Sequence, residues 1–76
     1  MDLAEIELFG TLMRVGTTVE TARILGLSQP AVSARLKRLE SRVGFSLFHR
    51  SGNRLEPSAE AQELYAETGA VFAAQT

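Results

Sequence analysis

The chain has 76 residues and no cysteine. Disulfides cannot staple its core, and a thiolate metal site is excluded. His49 is its only histidine and Asp2 its only aspartate. No metal-ligand cluster, no glycine-rich phosphate loop and no nucleophile beside a suitable base can be found. The reading is of a protein that is not an enzyme, with no catalytic residue, no metal and no cofactor. His49 falls in a predicted strand next to Arg50, where a packing or solvent-facing role suits it. No apolar run approaches the ~18–20 residues of a membrane span. The start, Met1-Asp2-Leu3-Ala4-Glu5, lacks the basic segment of a signal peptide. A soluble cytoplasmic protein is expected. Internal repeats and low-complexity segments are also missing.

What is present is one domain's worth of apolar material, 45% of the residues. A domain this small buries only about 60% of the surface its unfolded chain exposes. Formal net charge is −1, but it is unevenly spread. Residues 28–55 carry Arg35, Lys37, Arg38, Arg42, Arg50 and Arg54 against Glu40 alone. Residues 1–27 and 56–76 are both net acidic, and the latter holds no basic residue. A basic middle between acidic ends is the footprint of a polyanion-binding surface. Taken alone, a charge run is as often a solvated face.

Apolar residues at Leu3, Ile6, Phe9, Leu12 or Met13, and Val15 have helical spacing. Asp2 with Glu5 reads as a capping box, and Gly16 as the stop. Thr17 with Glu20 reads as a second capping box, opening a short helix through Ala22 and Leu25 that Gly26 ends. Ser28 then caps a third helix over 28–43, with Pro30 in its first turn, where a missing N–H costs little. Two helices joined by a short glycine-containing turn form a helix-turn-helix. Val32, Leu36, Leu39 and Val43 make one narrow apolar stripe on the third helix. Phe45, Leu47 and Phe48 read as a strand, Ser51-Gly52-Asn53 as a turn, and Leu55 to Pro57 as the return strand. Ser58 caps a fourth helix with Glu60 and Glu63 near its start. Its stripe of Ala61, Leu64 or Tyr65, Thr68, and Val71 or Phe72 follows a 3.5-residue repeat and needs a partner surface. Gly69 interrupts that stripe. The fold class is mainly α: three helices, a hairpin wing over about 46–57 and a C-terminal linker helix. The division expected is 1–57 for the winged helix-turn-helix and 58–76 for a linker or dimerisation helix.

Reading DNA requires a helix with donors and acceptors on its exposed face. Gln29 and Ser33 lie one turn apart near the start of the third helix. Gln can pair in bidentate fashion with adenine, and Ser with several bases. Ala31, Ala34 and the Pro30 ring can touch a thymine methyl. Arg35, Lys37 and Arg38 can reach phosphates or, if aimed inward, guanine. In the wing, Arg50, Asn53 and Arg54 can follow the backbone or enter the minor groove. A salt bridge from Arg50 to an acidic residue such as Glu40 remains open beside that role. Thr17, Thr18 and Ser28, at the starts of the second and third helices, complete the expected backbone set.

Ser28-Gln29-Pro30-Ala31-Val32-Ser33, Leu36, Leu39-Glu40, Gly44 and Leu47-Phe48-His49-Arg50 resemble the N-terminal domain of LysR-type transcriptional regulators. The likeness runs from about Leu3 to the end of the chain. It implies a winged helix-turn-helix of bacterial origin with Gln29, Pro30, Ser33 and Ala34 at base-reading positions. It also implies a last helix that pairs in a homodimer, which assigns Leu64, Tyr65, Thr68, Val71 and Phe72 to dimerisation. Two recognition helices would then enter successive major grooves, ~34 Å apart, on an interrupted inverted repeat of double-stranded DNA. Higher oligomers would belong to a full-length protein, located on the nucleoid. Position 34 is Ala where the family often has Arg, and a wing position often Arg is Asn53. Position 18 is Thr where a large apolar residue is usual, which leaves Val19 to take the packing role. The entry to the last helix is Pro57-Ser58-Ala59-Glu60-Ala61 rather than Leu-Thr-x-Ala-Gly. The effector-binding part of such a regulator lies outside this sequence, which stops in mid-helix as an excised domain would. A winged helix reused as a protein-docking module is the alternative, and it would not need the basic middle.

Overall fold

The computed structural model describes the backbone of residues 1–75 and the side chains of residues 1–67. Its elements run α1 (Leu3–Val15), α2 (Thr18–Leu25), α3 (Gln29–Val43), β1 (Phe48–Ser51), β2 (Arg54–Pro57) and α4 (Ala59–Gln75). The two strands form one antiparallel hairpin. The architecture is a winged helix-turn-helix.

The predicted caps are in place, with one difference. Asp2 and Glu5 close a complete capping box on α1. Ser28 accepts the Ala31 N–H at 3.2 Å and starts α3. Thr17 accepts the Glu20 N–H at 3.2 Å, but the reciprocal half of that box is absent. The Glu20 carboxylate turns instead to the Arg23 guanidinium one turn on. The turn between α2 and α3 takes the Schellman form, with the Leu27 N–H donating to Ala22 O at 2.9 Å beyond the left-handed Gly26.

Leu8, Phe9 and Leu12 of α1, Ala22 of α2, Val32, Leu36 and Leu39 of α3, and Leu47, Phe48 and Leu55 around the wing form a single core. Ala61 is fully buried in it, so the first turns of α4 belong to that core. The α3 stripe packs as its spacing predicts, with Val43 at the edge. Two apolar residues of these helices lie outside that core. Leu3, in the first turn of α1 before its packed part begins at Leu8, is 62% exposed. Val19 is 58% exposed and takes no packing role; Thr21 and Ala22 are the buried residues of α2.

The wing also differs in its bounds. Phe45 and Leu47 lie outside β1, and Ser51 and Arg54 are paired strand ends. The N–H groups of Leu47 and Phe48 both donate to the Glu40 carboxylate of α3. Only Gly52 and Asn53 form the loop. A positive φ at Gly52 (65°) and none at Asn53 is the sign pattern of a II′ hairpin turn.

Candidate nucleic-acid interface

The exposed surface of α3 divides by angle. At about 100° per residue, Pro30, Ala34, Lys37 and Ser41 point away from the buried stripe. All four are exposed. Gln29 and Ser33 form one flank and are exposed too. Glu40 falls within about 20° of both on the helical wheel. Its bonds to Leu47 and Phe48 identify that flank as the wing side. The base-reading candidates and the wing therefore stand on the same side of the molecule.

Arg35, Arg38 and Arg42 occupy the opposite flank. With Asp2, Ala4, Glu5 and Leu8 of the α1 end they line a cleft of about 270 Å³. Arg42 is engaged there with Glu5 at 3.0 Å. Arg35 and Arg38 are exposed and enter no ion pair among the described residues. The predicted basic residues thus form two groups, with Lys37 between them.

In the wing, alternation assigns sides. Arg50 pairs with Leu55 and shares a face with Phe48, so it lies on the core-facing side. Phe48 and Leu55 are buried while Arg50, further out along β1, is exposed. Its guanidinium makes no ion pair among the described residues, and Glu40 serves the backbone instead. The outer face carries His49 opposite Glu56, their side chains 3.5 Å apart. Asn53 is exposed at the tip. Arg54 is held back on the body: its guanidinium lies over Gly16 and donates to Val15 O at 3.5 Å.

Thr17 and Thr18 are half-buried and Ser28 is exposed. Thr17 and Ser28 accept backbone N–H groups as caps. Each hydroxyl keeps its proton, so it can still donate to a phosphate. Near Thr17, the hydrogen bond from Arg23 holds the Glu20 carboxyl below the usual carboxylate range; Arg23 is exposed and Glu20 half-buried. A lowered carboxyl value means the pair supports α2 above the ordinary Glu range, and that support is lost as pH falls from this range through the lowered value.

The dimerisation candidates separate as well. Leu64 and Tyr65 are half-buried against the chain's own core, and the Tyr65 ring meets Phe9 edge-on at 6.0 Å. Part of each side chain is therefore already covered within the chain. Thr68, Val71 and Phe72 lie outside the described side chains. Among the described residues no group of acidic, histidine or cysteine side chains could hold a metal ion. Among the described residues no helix is long and apolar enough to cross a membrane.

Sequence reasoning missed two residues that hold the site together, Glu40 and Gly16. Glu40 had a signal: it is the single acidic residue in the basic middle, on the flank of Gln29 and Ser33. Gly16 read only as a helix stop.

A three-helix body with a hairpin wing and a polar, exposed third helix defines the winged helix-turn-helix class. Residues 3–62 match the family described as bacterial regulatory helix-turn-helix protein, lysR family, and the chain belongs to that family. It is 40% identical over 72 residues to the HTH-type transcriptional regulator AdmX of Serratia plymuthica, covering 95% of this chain and 24% of that protein. It is 39% identical over 67 residues to the transcriptional activator protein LysR of Escherichia coli (strain K12), covering 88% of this chain and 22% of that one. The chain spans about a quarter of the length of the curated relatives it matches. Among solved structures, a probable transcriptional regulator from Pseudomonas aeruginosa superposes with a TM-score of 0.89 at 33% identity, over 99% of this chain and 25% of that one. The CbnR DNA-binding domain, solved in complex with DNA, superposes with a TM-score of 0.87 at 21% identity, over 99% of this chain and 86% of that one. That second likeness is one of fold.

Proposed function

We propose that the chain binds double-stranded DNA sequence-specifically, as the DNA-binding domain of a bacterial LysR-type transcriptional regulator. In this reading α3 enters the major groove and the wing lies on the backbone or in the minor groove. The observation that carries it is the exposed start of α3, where Gln29, Pro30, Ser33 and Ala34 stand clear of the core with the wing on their flank. Gln29 and Ser33 meet base edges; Pro30 and Ala34 touch thymine methyls. Thr17, Thr18, Ser28, Arg35, Lys37, Arg38, Arg50 and Asn53 serve phosphates or the groove. The family membership and the fold shared with a DNA complex support this reading.

A homodimer through α4 belongs to the same proposal, as does an interrupted inverted repeat as the target. Leu64 and Tyr65 would contribute only the surface their own core leaves uncovered, with Thr68, Val71 and Phe72 supplying the rest. Effector binding and higher assembly would belong to the longer regulator, working in the cytoplasm on the nucleoid.

Selection of bound sequences from random duplex DNA at fixed salt tests the reading. Enrichment of two half-sites in inverted orientation is the expected result. Failure to retain any duplex at low salt would sink it.

A further inference from the structure

The wing is joined to the rest of the molecule by polar contacts at both strands. On the β1 side, Glu40 Oε2 accepts the Leu47 N–H at 2.7 Å and the Phe48 N–H at 3.2 Å. On the β2 side, the Leu55 N–H donates to Gly16 O at 2.8 Å. The Arg54 guanidinium covers the same spot, so close that a Cβ on Gly16 would sit 2.5 Å from Nη2. This is the C-terminal end of α1, where exposed carbonyls and the helix dipole favour a cation.

We propose that Glu40 and Arg54 are positioning residues: they fix the wing against α3 and α1, and neither touches DNA. The inference rests on the DNA-binding reading and removes Arg54 from the contact residues expected of the sequence. For Arg54 the argument is occupancy. To reach a phosphate the guanidinium would have to leave the Val15 and Gly16 carbonyl end that it covers. For Glu40 the argument is sign. A carboxylate on the reading flank repels phosphates, so it weakens binding unless its placement of the wing outweighs that repulsion. Its Oε2 takes two backbone N–H groups, and bonds to an ionised acceptor are the stronger kind. Release of either clamp would let the Arg50 and Asn53 end of the hairpin shift relative to Gln29 and Ser33.

Salt dependence separates positioning from contact. Each phosphate neutralised adds about 0.9 to the slope of log affinity against log salt. Affinity of the intact chain, Arg50→Ala, Arg54→Ala and Glu40→Gln would be measured across a salt series. The probes are a duplex recovered by the selection and a scrambled duplex of equal length, and thermal melts verify the fold. Arg50→Ala should flatten the slope by about one. Arg54→Ala and Glu40→Gln should each lose roughly threefold to thirtyfold on the selected duplex while keeping the slope of the intact chain. A slope for Arg54→Ala that drops like that of Arg50→Ala overturns the inference. So does equal or tighter binding by Glu40→Gln, the result plain electrostatics dictates. Should Arg54→Ala fail to fold, Glu40→Gln decides alone, because Gln keeps the size of the side chain and replaces the ionised acceptor by a weaker neutral one. An intact chain with no salt-dependent affinity for either duplex would instead defeat the DNA-binding reading itself.

Discussion

Glu5 divides its two carboxylate oxygens between two tasks. Oε1 accepts the Asp2 N–H at 3.0 Å, and Oε2 takes the Arg42 guanidinium at 3.0 Å. The first task is written in the spacing of Asp2 and Glu5; the second, between residues 37 apart, is not. Thr21 shows the same limit from the other side. Its spacing marks it only as a member of α2, yet it is fully buried and its hydroxyl has no hydrogen-bond partner among the described residues. Thr21→Val keeps the shape and removes the stranded hydroxyl. It should raise stability by about 1 kcal/mol in urea unfolding, and a loss of that size would show that the hydroxyl is satisfied. Gly16 has φ 74° with Arg54 pressed against it. Gly16→Ala should cost about 1–2 kcal/mol through left-handed strain and also dislodge Arg54. Gly44→Ala carries similar strain into open space, so it should lower the melting temperature without the added loss of DNA affinity.

At the scale of elements, α3 was almost fully legible. Its cap follows from the Ser28 hydroxyl, its stop from the left-handed Gly44, and its buried stripe from a 3.6-residue period that puts Val32, Leu36 and Leu39 on one side. The wing was legible as a hairpin but not in its bounds, because Glu40 and Gly16 set them from other elements. The reading flank of α3 and the wing should therefore fail differently. Gln29→Ala or Ser33→Ala should cost ~1–3 kcal/mol on the selected duplex and relax preference at particular bases. Arg50→Ala should weaken cognate and random duplexes alike. Indistinguishable effects on both duplexes would refute this division of roles.

On the scale of the whole molecule, Phe9 is the common member of three parts. Its ring lies 6.1 Å from that of Phe48 in the wing and 6.0 Å from that of Tyr65 in α4, and it is fully buried. A chain of 76 residues holds roughly 4–11 kcal/mol of stability in all. Phe9→Ala should remove about 3–5 kcal/mol of it, read as a fall in the urea midpoint. A loss under 1 kcal/mol would mean the three parts do not share one core. The same arrangement has an optical consequence. The chain has one tyrosine and no tryptophan, so the bulk of its intrinsic emission arises from Tyr65. That signal originates where Tyr65 of α4 lies against Phe9 of α1. A change in that emission on adding duplex, once corrected for the duplex's own absorption, would report a rearrangement at the α4 junction with no label attached.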